Sequence, residues 1–278
     1  MKLGLCCMLS NTRFKKGFSG INACKRRLED TILLEATLHN IRETEKCIQW
    51  VIDNKTGMYR FSSDIIPFDT EWDWDKNPII VSKLLQLGNI IKKHNIRATI
   101  HPSQFCVINS ENEDVIKNSI QILEHHYILC QYLNIEGIII HTGSAKDNYK
   151  DRFISTFNKL PKVIQSKIML ENCHSVSISD VLDICNQTDI KPILDLHHNR
   201  ICGKVNLENI KDNIFKLWGS KKPIGHISSG KTSSIDKAHN DIILQEDIEC
   251  FEEYFHAFDL EIEAKLKDIA IINIKKYF

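Results

Sequence analysis

Short apolar runs rich in Ile, Val and Leu alternate along the chain with longer amphipathic stretches, the pattern of parallel strands joined by crossover helices. Eight runs read as strands: Leu3 to Met8, Met58 to Ser62, Arg97 to His101, Gly137 to His141, Lys167 to Glu171, Pro192 to His197, Ile224 to Ser228 and Leu260 to Lys265. Between them apolar residues recur three, four or seven apart, as in Ile41, Ile48, Val51 and Ile52 or Ile116, Ile120, Leu123 and Tyr127, which predicts helices. Eight such units predict an α/β fold, a single (β/α)8 TIM-type barrel with its active site at the C-terminal mouth. An open doubly wound sheet is the alternative, but no GxGxxG or P-loop follows the first strand. No repeat, low-complexity tract or linker divides the chain, so residues 1–278 are expected to form one domain.

Residues able to bind a metal fall at the C-terminal ends of six consecutive predicted strands, where barrel enzymes keep their chemistry. His101 closes RATIHPSQF, His141 closes GIIIHTG, Glu171 closes KIMLENC, Asp195 and His198 close PILDLHHN, His226 closes PIGHISS, and Glu263 closes LEIEAK. His239, in the KAHND loop, belongs to the same face. A lone His or Glu at a strand end is usually a hydrogen-bonded structural residue. Here the carboxylates Glu171, Asp195 and Glu263 recur at matching points of different strands, and burying each unpaired would be costly. Divalent cations would balance them, and imidazole with carboxylate oxygen suits Mn2+, Zn2+ or Fe2+.

Composition narrows the reading. The 278 residues are 42% hydrophobic and 26% charged, enough for one large core. Ten cysteines contain no CxxC pair, and Cys47, Cys130, Cys173 and Cys185 lie in apolar patterns, so they are expected to be reduced core thiols. MKLGLCCMLSNTRF lacks the apolar run of a secretory signal, and no run of about 18 apolar residues would span a bilayer. A soluble intracellular protein with no membrane partner is expected. Net charge is zero, so a polyanion must be held by local clustering. Arg13, Lys15 and Lys16 follow the first strand, Lys146, Lys150 and Arg152 follow His141, Arg200 follows His198, and Lys231 and Lys237 flank the loop to His239. Together they make a candidate phosphate-binding rim; singly, each reads as a solvated surface charge.

Two or three divalent ions in such a cluster lower the pKa of water, hold a phosphate and neutralise charge on attacking and leaving oxygens, which suits phosphodiester hydrolysis. Gln104 and Phe105 directly follow the His101 position in HPSQFCVIN. Phe105 either wedges into a base stack, selecting lesions by the deformability of DNA, or packs under its own loop.

The chain resembles the UV damage endonuclease family, a relative of endonuclease IV, over nearly its whole length. The matching stretches are KLGLCC, YRFSSDIIPF, HPSQF, HTG, LEN, DLHH, HISS followed by AH, and EAKLKD. The resemblance implies a DNA repair hydrolase that nicks duplex DNA immediately 5′ of UV photoproducts such as cyclobutane dimers and 6-4 products, with Mn2+ as activator. No obligate protein partner is expected. It implies the metal-ligand role for His101, His141, Glu171, Asp195, His198, His226, His239 and Glu263, and the lesion-probing role for Gln104 and Phe105. Glu171 and Glu263 are expected at the reacting and bridging positions. Lys146 and Lys265 are candidate phosphate holders, with Lys265 ranked first because it is in strand phase with Glu263.

Three positions depart from the family pattern. Leu5 and Leu9 stand where a Tyr and an Asn flank the lesion, unless Asn11 substitutes, and Ile224 stands where a Lys commonly joins the metals. Glu261 either supplies the missing carboxylate, or hydrogen-bonds a metal-bound water, or is a buried acid paired with a barrel lysine such as Lys167. The rival functions are an abasic-site endonuclease of the endonuclease IV type, a metal-dependent sugar isomerase, and a damage-binding protein with purely structural metals.

Overall fold

The computed structural model describes residues 1–11, 30–203 and 205–277. Eight strands, β1 (Leu3–Cys6), β2 (Gly57–Ser62), β3 (Arg97–His101), β4 (Gly137–His141), β5 (Ile168–Glu171), β6 (Lys191–Asp195), β7 (Ile224–Ile227) and β8 (Asp259–Ile262), follow one another around a closed barrel. Every neighbouring pair is parallel, and β1 meets β8 through Leu3 to Leu260 and Leu5 to Ile262, which closes the sheet. The molecule is therefore the (β/α)8 barrel that the alternation of apolar runs predicts.

The outer layer comprises α1 (Asp30–Asp53), α2 (Pro78–Lys93), α3 (Glu113–Leu133), α4 (Tyr149–Lys159), α5 (Lys162–Gln165), α6 (Ile178–Thr188), α7 (Leu196–Ile201), α8 (Lys211–Trp218), α9 (Gln245–Cys250), α10 (Glu252–Ala257) and α11 (Lys267–Ile274). Local chemistry fixes several ends. Asn77 accepts from the amides of Ile79 and Ile80 ahead of Pro78, Asn112 caps α3, and Ser177 caps α6. Left-handed Asn134 and Asp189 end α3 and α6. On α3 the most buried face runs through Ser119, Leu123, His126, Cys130 and Leu133, leaving Ile116, Ile120 and Tyr127 at its flank. The expected face is thus turned, because the Ser119 hydroxyl bonds the β3–α3 loop at Val107 and must face inward.

Inside the barrel, period-two alternation stacks the inward side chains in layers. Near the N-terminal end, Arg97 pairs with Glu136 and Asp259. A middle layer contains Thr99, Glu261 and Arg60, with Thr99 and Arg60 both bonding Glu261. Above it, the inward residues at the strand ends face the mouth. Cys47, Cys130, Cys173 and Cys185 are buried and in no disulfide. Among the described residues no helix is long and apolar enough to cross a membrane.

Four strands stop short of their expected ends. Cys7 turns out of β1 with φ 68°, and Asp195 becomes the N-cap of α7, so His197 and His198 are helical. Beyond β7 and β8 the chain pairs with loop segments: Asn240 donates to the carbonyl of Ser229, and Lys265 donates to the carbonyl of Asn240.

Candidate metal centre and active site

The expected ligand set converges on Glu171. This carboxylate is buried at the end of β5 and faces four imidazoles from four elements. One oxygen lies 3.1 Å from His101 Nε2 and 3.7 Å from His141 Nε2; the other lies 2.9 Å from His226 Nδ1 and 3.6 Å from His198 Nδ1. Glu263 continues the cluster, 3.4 Å from His226 Nδ1 and 3.8 Å from His239 Nδ1, and Asp195 Oδ2 lies 3.5 Å from His198 Nδ1. All eight side chains proposed from the sequence therefore belong to one connected group.

The local architecture explains the convergence. Asp195 caps α7 by accepting from the His198 amide, which places both residues over the same point of the mouth. Asn172 clamps the ends of β5 and β6 together, its Oδ1 accepting from the Asp195 amide and its Nδ2 donating to the Asp195 carbonyl. After His141 the chain turns at Gly143 with φ 93°, where a Cβ would lie 2.4 Å from the Val107 side chain, so the HTG motif needs its glycine.

The donor set fits divalent cations. His101 Nδ1–H donates to the carbonyl of Pro102 at 2.7 Å, so in the neutral ring the lone pair of Nε2 faces the Glu171 carboxylate. A divalent cation between two acceptors held that close would satisfy both, as a proton would. Asp195 Oδ2 and His141 Nδ1 are also buried without a hydrogen-bond partner. Two triads, His101 with His141 and Glu171, and Glu171 with Asp195 and His226, have ligand atoms all within 4.8 Å of one another. Neither group contains cysteine, so the donor set is imidazole and carboxylate oxygen and not that of a structural thiolate zinc.

The same crowding shifts the titrations. Burial pushes the Glu171 carboxyl up, but His226 and His141 outweigh it and hold the group well below the usual range. For Glu263 burial is likewise overcome, chiefly by Arg60 and then His226. Burial, helped by the Glu171 and Glu263 charges, raises Asp195, and burial, helped by His101 and His198, holds His141 down to about 4. His198 rises to about 10, burial being overcome by Asp195 and Glu171.

The cluster opens into a cavity of about 460 Å³ lined also by Cys7, Arg60, Ser62, Asp64 and Lys267. In the loop after His101, Gln104 and Phe105 are exposed, Phe105 at 73%, so the aromatic ring does not pack under its own loop. Lys146, Lys231 and Lys237 are exposed on mouth loops. Arg200 is not available to a backbone: it pairs with buried Asp247, contacts His197 Nδ1 at 2.8 Å and lies over the Phe251 ring. Lys150 is held by Asp180 at 2.5 Å and Asp183 at 2.8 Å, and Arg152 bonds the carbonyls of Asn109 and Asp147. Arg13, Lys15 and Lys16 lie outside the described residues.

Lys265 does not reach the cavity. β8 ends at Ile262, so strand phase no longer governs position 265, and the exposed Lys265 leaves Lys267 to line the mouth. Leu5 is fully buried, Leu9 packs partly against the core, and Asn11 is exposed. Ile224 is buried apolar wall. Glu261 points inward, as every alternative for it required, but its cation is Arg60 at 3.3 Å; Lys167 instead donates to the carbonyl of Ile135.

Sequence reasoning missed Arg60, whose signal was a cation within the apolar run of β2, and Lys267. It also missed buried His197, whose Nε2 contacts the Asp236 carbonyl at 2.8 Å and so anchors the loop carrying His239.

A closed parallel barrel with a buried cluster of imidazoles and carboxylates at its mouth defines the class: a TIM-barrel enzyme with a candidate multinuclear metal centre. The chain matches the family model UV-endonuclease UvdE over residues 7–277. It belongs to the UV-endonuclease family and is thus an endonuclease of DNA repair. The UV DNA damage endonuclease of Bacillus mycoides is 31% identical over 274 residues, covering 92% of this chain and 86% of the relative. The solved structure of SacUVDE superposes with a TM-score of 0.90 at 26% identity, covering 100% of this chain and 97% of that one. Endonuclease IV from Thermus thermophilus, at 12% identity and a TM-score of 0.68 over 100% of this chain and 98% of that one, shares the fold.

Proposed function

We propose that this protein hydrolyses the phosphodiester immediately 5′ of UV photoproducts, cyclobutane dimers and 6-4 products, in double-stranded DNA, with residues 1–278 acting as one endonuclease domain. The observation that carries the reading is Glu171 set among four imidazoles at the barrel mouth. His101, His141, Glu171, Asp195, His198, His226, His239 and Glu263 hold two or three divalent ions, Mn2+ in first place and Zn2+ as the alternative. Such ions lower the pKa of water and neutralise charge gathering on phosphate oxygens.

The protein's own groups bind and orient. Lys146 and Lys231, with Arg13 and Lys15, hold backbone phosphates around the mouth. Gln104 and Phe105 test the base stack, and the lesion yields because a damaged pair costs less to unstack. Lys267, an ammonium lining the cavity beside the cluster, takes the phosphate-holding role in place of Lys265.

The test is Mn2+-dependent cleavage of an end-labelled duplex carrying one cyclobutane dimer, beside undamaged and abasic duplexes, with Glu171→Gln as control. A nick immediately 5′ of the dimer that the variant loses is the expected result. Cutting of the abasic duplex alone would transfer the protein to the abasic-site reading. Tight lesion binding with no cutting would make it a damage-binding protein.

A further inference from the structure

Glu261 is fully buried in the barrel's middle layer, two residues before Glu263 and directly beside His226 in the β7–β8 register. The barrel is built around its side chain. Gly4, its register partner on β1, leaves the necessary space, since a Cβ there would lie 2.9 Å from Glu261 Cγ. Thr99 Oγ1 donates to Glu261 Oε1, while Oε2 lies 3.3 Å from Arg60 Nη1 and 2.9 Å from His226 Nε2. Both carboxylate oxygens thus meet protein partners beneath the cluster.

His226 is therefore held between two carboxylate environments. Its Nδ1 faces Glu171 and Glu263 at 2.9 and 3.4 Å; its Nε2 faces Glu261 at 2.9 Å. A neutral imidazole carries one proton, and the nitrogen that keeps it is set by the acceptor it meets. In the structure the aligned hydrogen bond of the ring is Nδ1 to Glu171, and Glu261 Oε2 lies close to Nε2 but off its axis; a divalent cation held at Nδ1 would leave the proton to Nε2, beside Glu261. Cation-binding histidines commonly depend on a carboxylate behind the ring for their orientation.

We infer that Glu261, itself set by Thr99, Arg60 and the space at Gly4, is a positioning residue that keeps the His226 proton on Nε2 and presents Nδ1 to the divalent cations. The inference rests on the metal-dependent reading of this site. It gives Arg60 a second function: its guanidinium bridges Glu261 and Glu263 and so couples the floor of the barrel to the cluster above it.

Calorimetric titration of the purified protein with Mn2+ tests this, together with long-range 15N–1H spectra of the Zn2+-loaded protein to locate the His226 proton. Glu261→Gln is expected to keep the far-ultraviolet dichroism of the parent, to weaken Mn2+ binding by about 10- to 100-fold, and to broaden or shift the Nε2–H correlation. Thr99→Val, which removes the hydroxyl donor at nearly constant shape, is expected to weaken binding several-fold in the same direction. It carries the test if Glu261→Gln does not fold. Unchanged Mn2+ affinity in the folded variants, or a His226 proton on Nδ1 in the parent, would overturn the inference while leaving the metal centre standing. A parent protein that binds neither Mn2+ nor Zn2+ would overturn both.

Discussion

Glu171 Oε1 lies 2.9 Å from His226 Nδ1 although 55 residues separate the two in the chain. The contact places a carboxylate from β5 and an imidazole from β7 at one point of the mouth, with β6 and Asp195 between them. Glu171→Gln keeps the side-chain volume and removes the charge on which both triads depend. Cleavage of dimer-containing DNA should fall by at least about 100-fold, the scale for removing one key electrostatic group. Saturating Mn2+ at about 100 times its Kd should stabilise the parent by roughly 2.7 kcal/mol, and the variant by much less. Thermal unfolding with and without Mn2+ checks this independently of cleavage.

Phe105 carries a large apolar side chain that is 73% exposed. Phe105→Ala should therefore leave the urea midpoint unchanged. Affinity for dimer-containing duplex should drop by the roughly 1–3 kcal/mol that a base–aromatic contact contributes, with a smaller change for undamaged duplex. Equal losses on both duplexes, measured by fluorescence anisotropy, would remove the lesion-probing role.

Arg200 and Lys231 both follow cluster histidines, and their variants should behave oppositely. Arg200→Ala leaves Asp247 buried without its cation and should cost about 3 kcal/mol of folding stability. Lys231→Ala should cost no stability and should lower the salt dependence of DNA binding by about one released ion. Chemical denaturation and a salt titration separate the two effects.

Asp69 and His126, with Oδ2 and Nδ1 3.7 Å apart, give opposing pH dependences. Burial raises Asp69 to about 7 from 3.8, so its neutral form favours folding below pH 3.8 and that stability is lost as pH rises through 7. Burial lowers His126 to about 4 from 6.5, so its contribution is present above pH 6.5 and lost as pH falls through 4, by up to roughly 3 kcal/mol. In the parent the two slopes largely cancel between pH 4 and 6.5. Asp69→Asn should leave stability rising with pH across that window, and His126→Gln should leave it falling. Urea midpoints at half-unit pH steps check both signs.

The chain's local pattern by itself determined the eight strands, their order and the eight polar residues that gather at the mouth. Strand alternation and the polar residue ending each apolar run are properties of a few consecutive positions, and a closed parallel barrel brings such ends together whatever the intervening helices. Family membership was legible for the same reason, in short motifs at those ends. Only the tertiary structure decided where each strand stops, because Asp195 leaves the sheet to cap a helix and Lys265 pairs with a loop residue, both beyond the reach of strand phase. It also decided which charges are free. Arg200 is bound to Asp247, 47 residues away, and Glu261 to Arg60, 201 residues away. The energy of a charge depends on the dielectric and the partner it meets, and at those separations both are set by how the barrel closes.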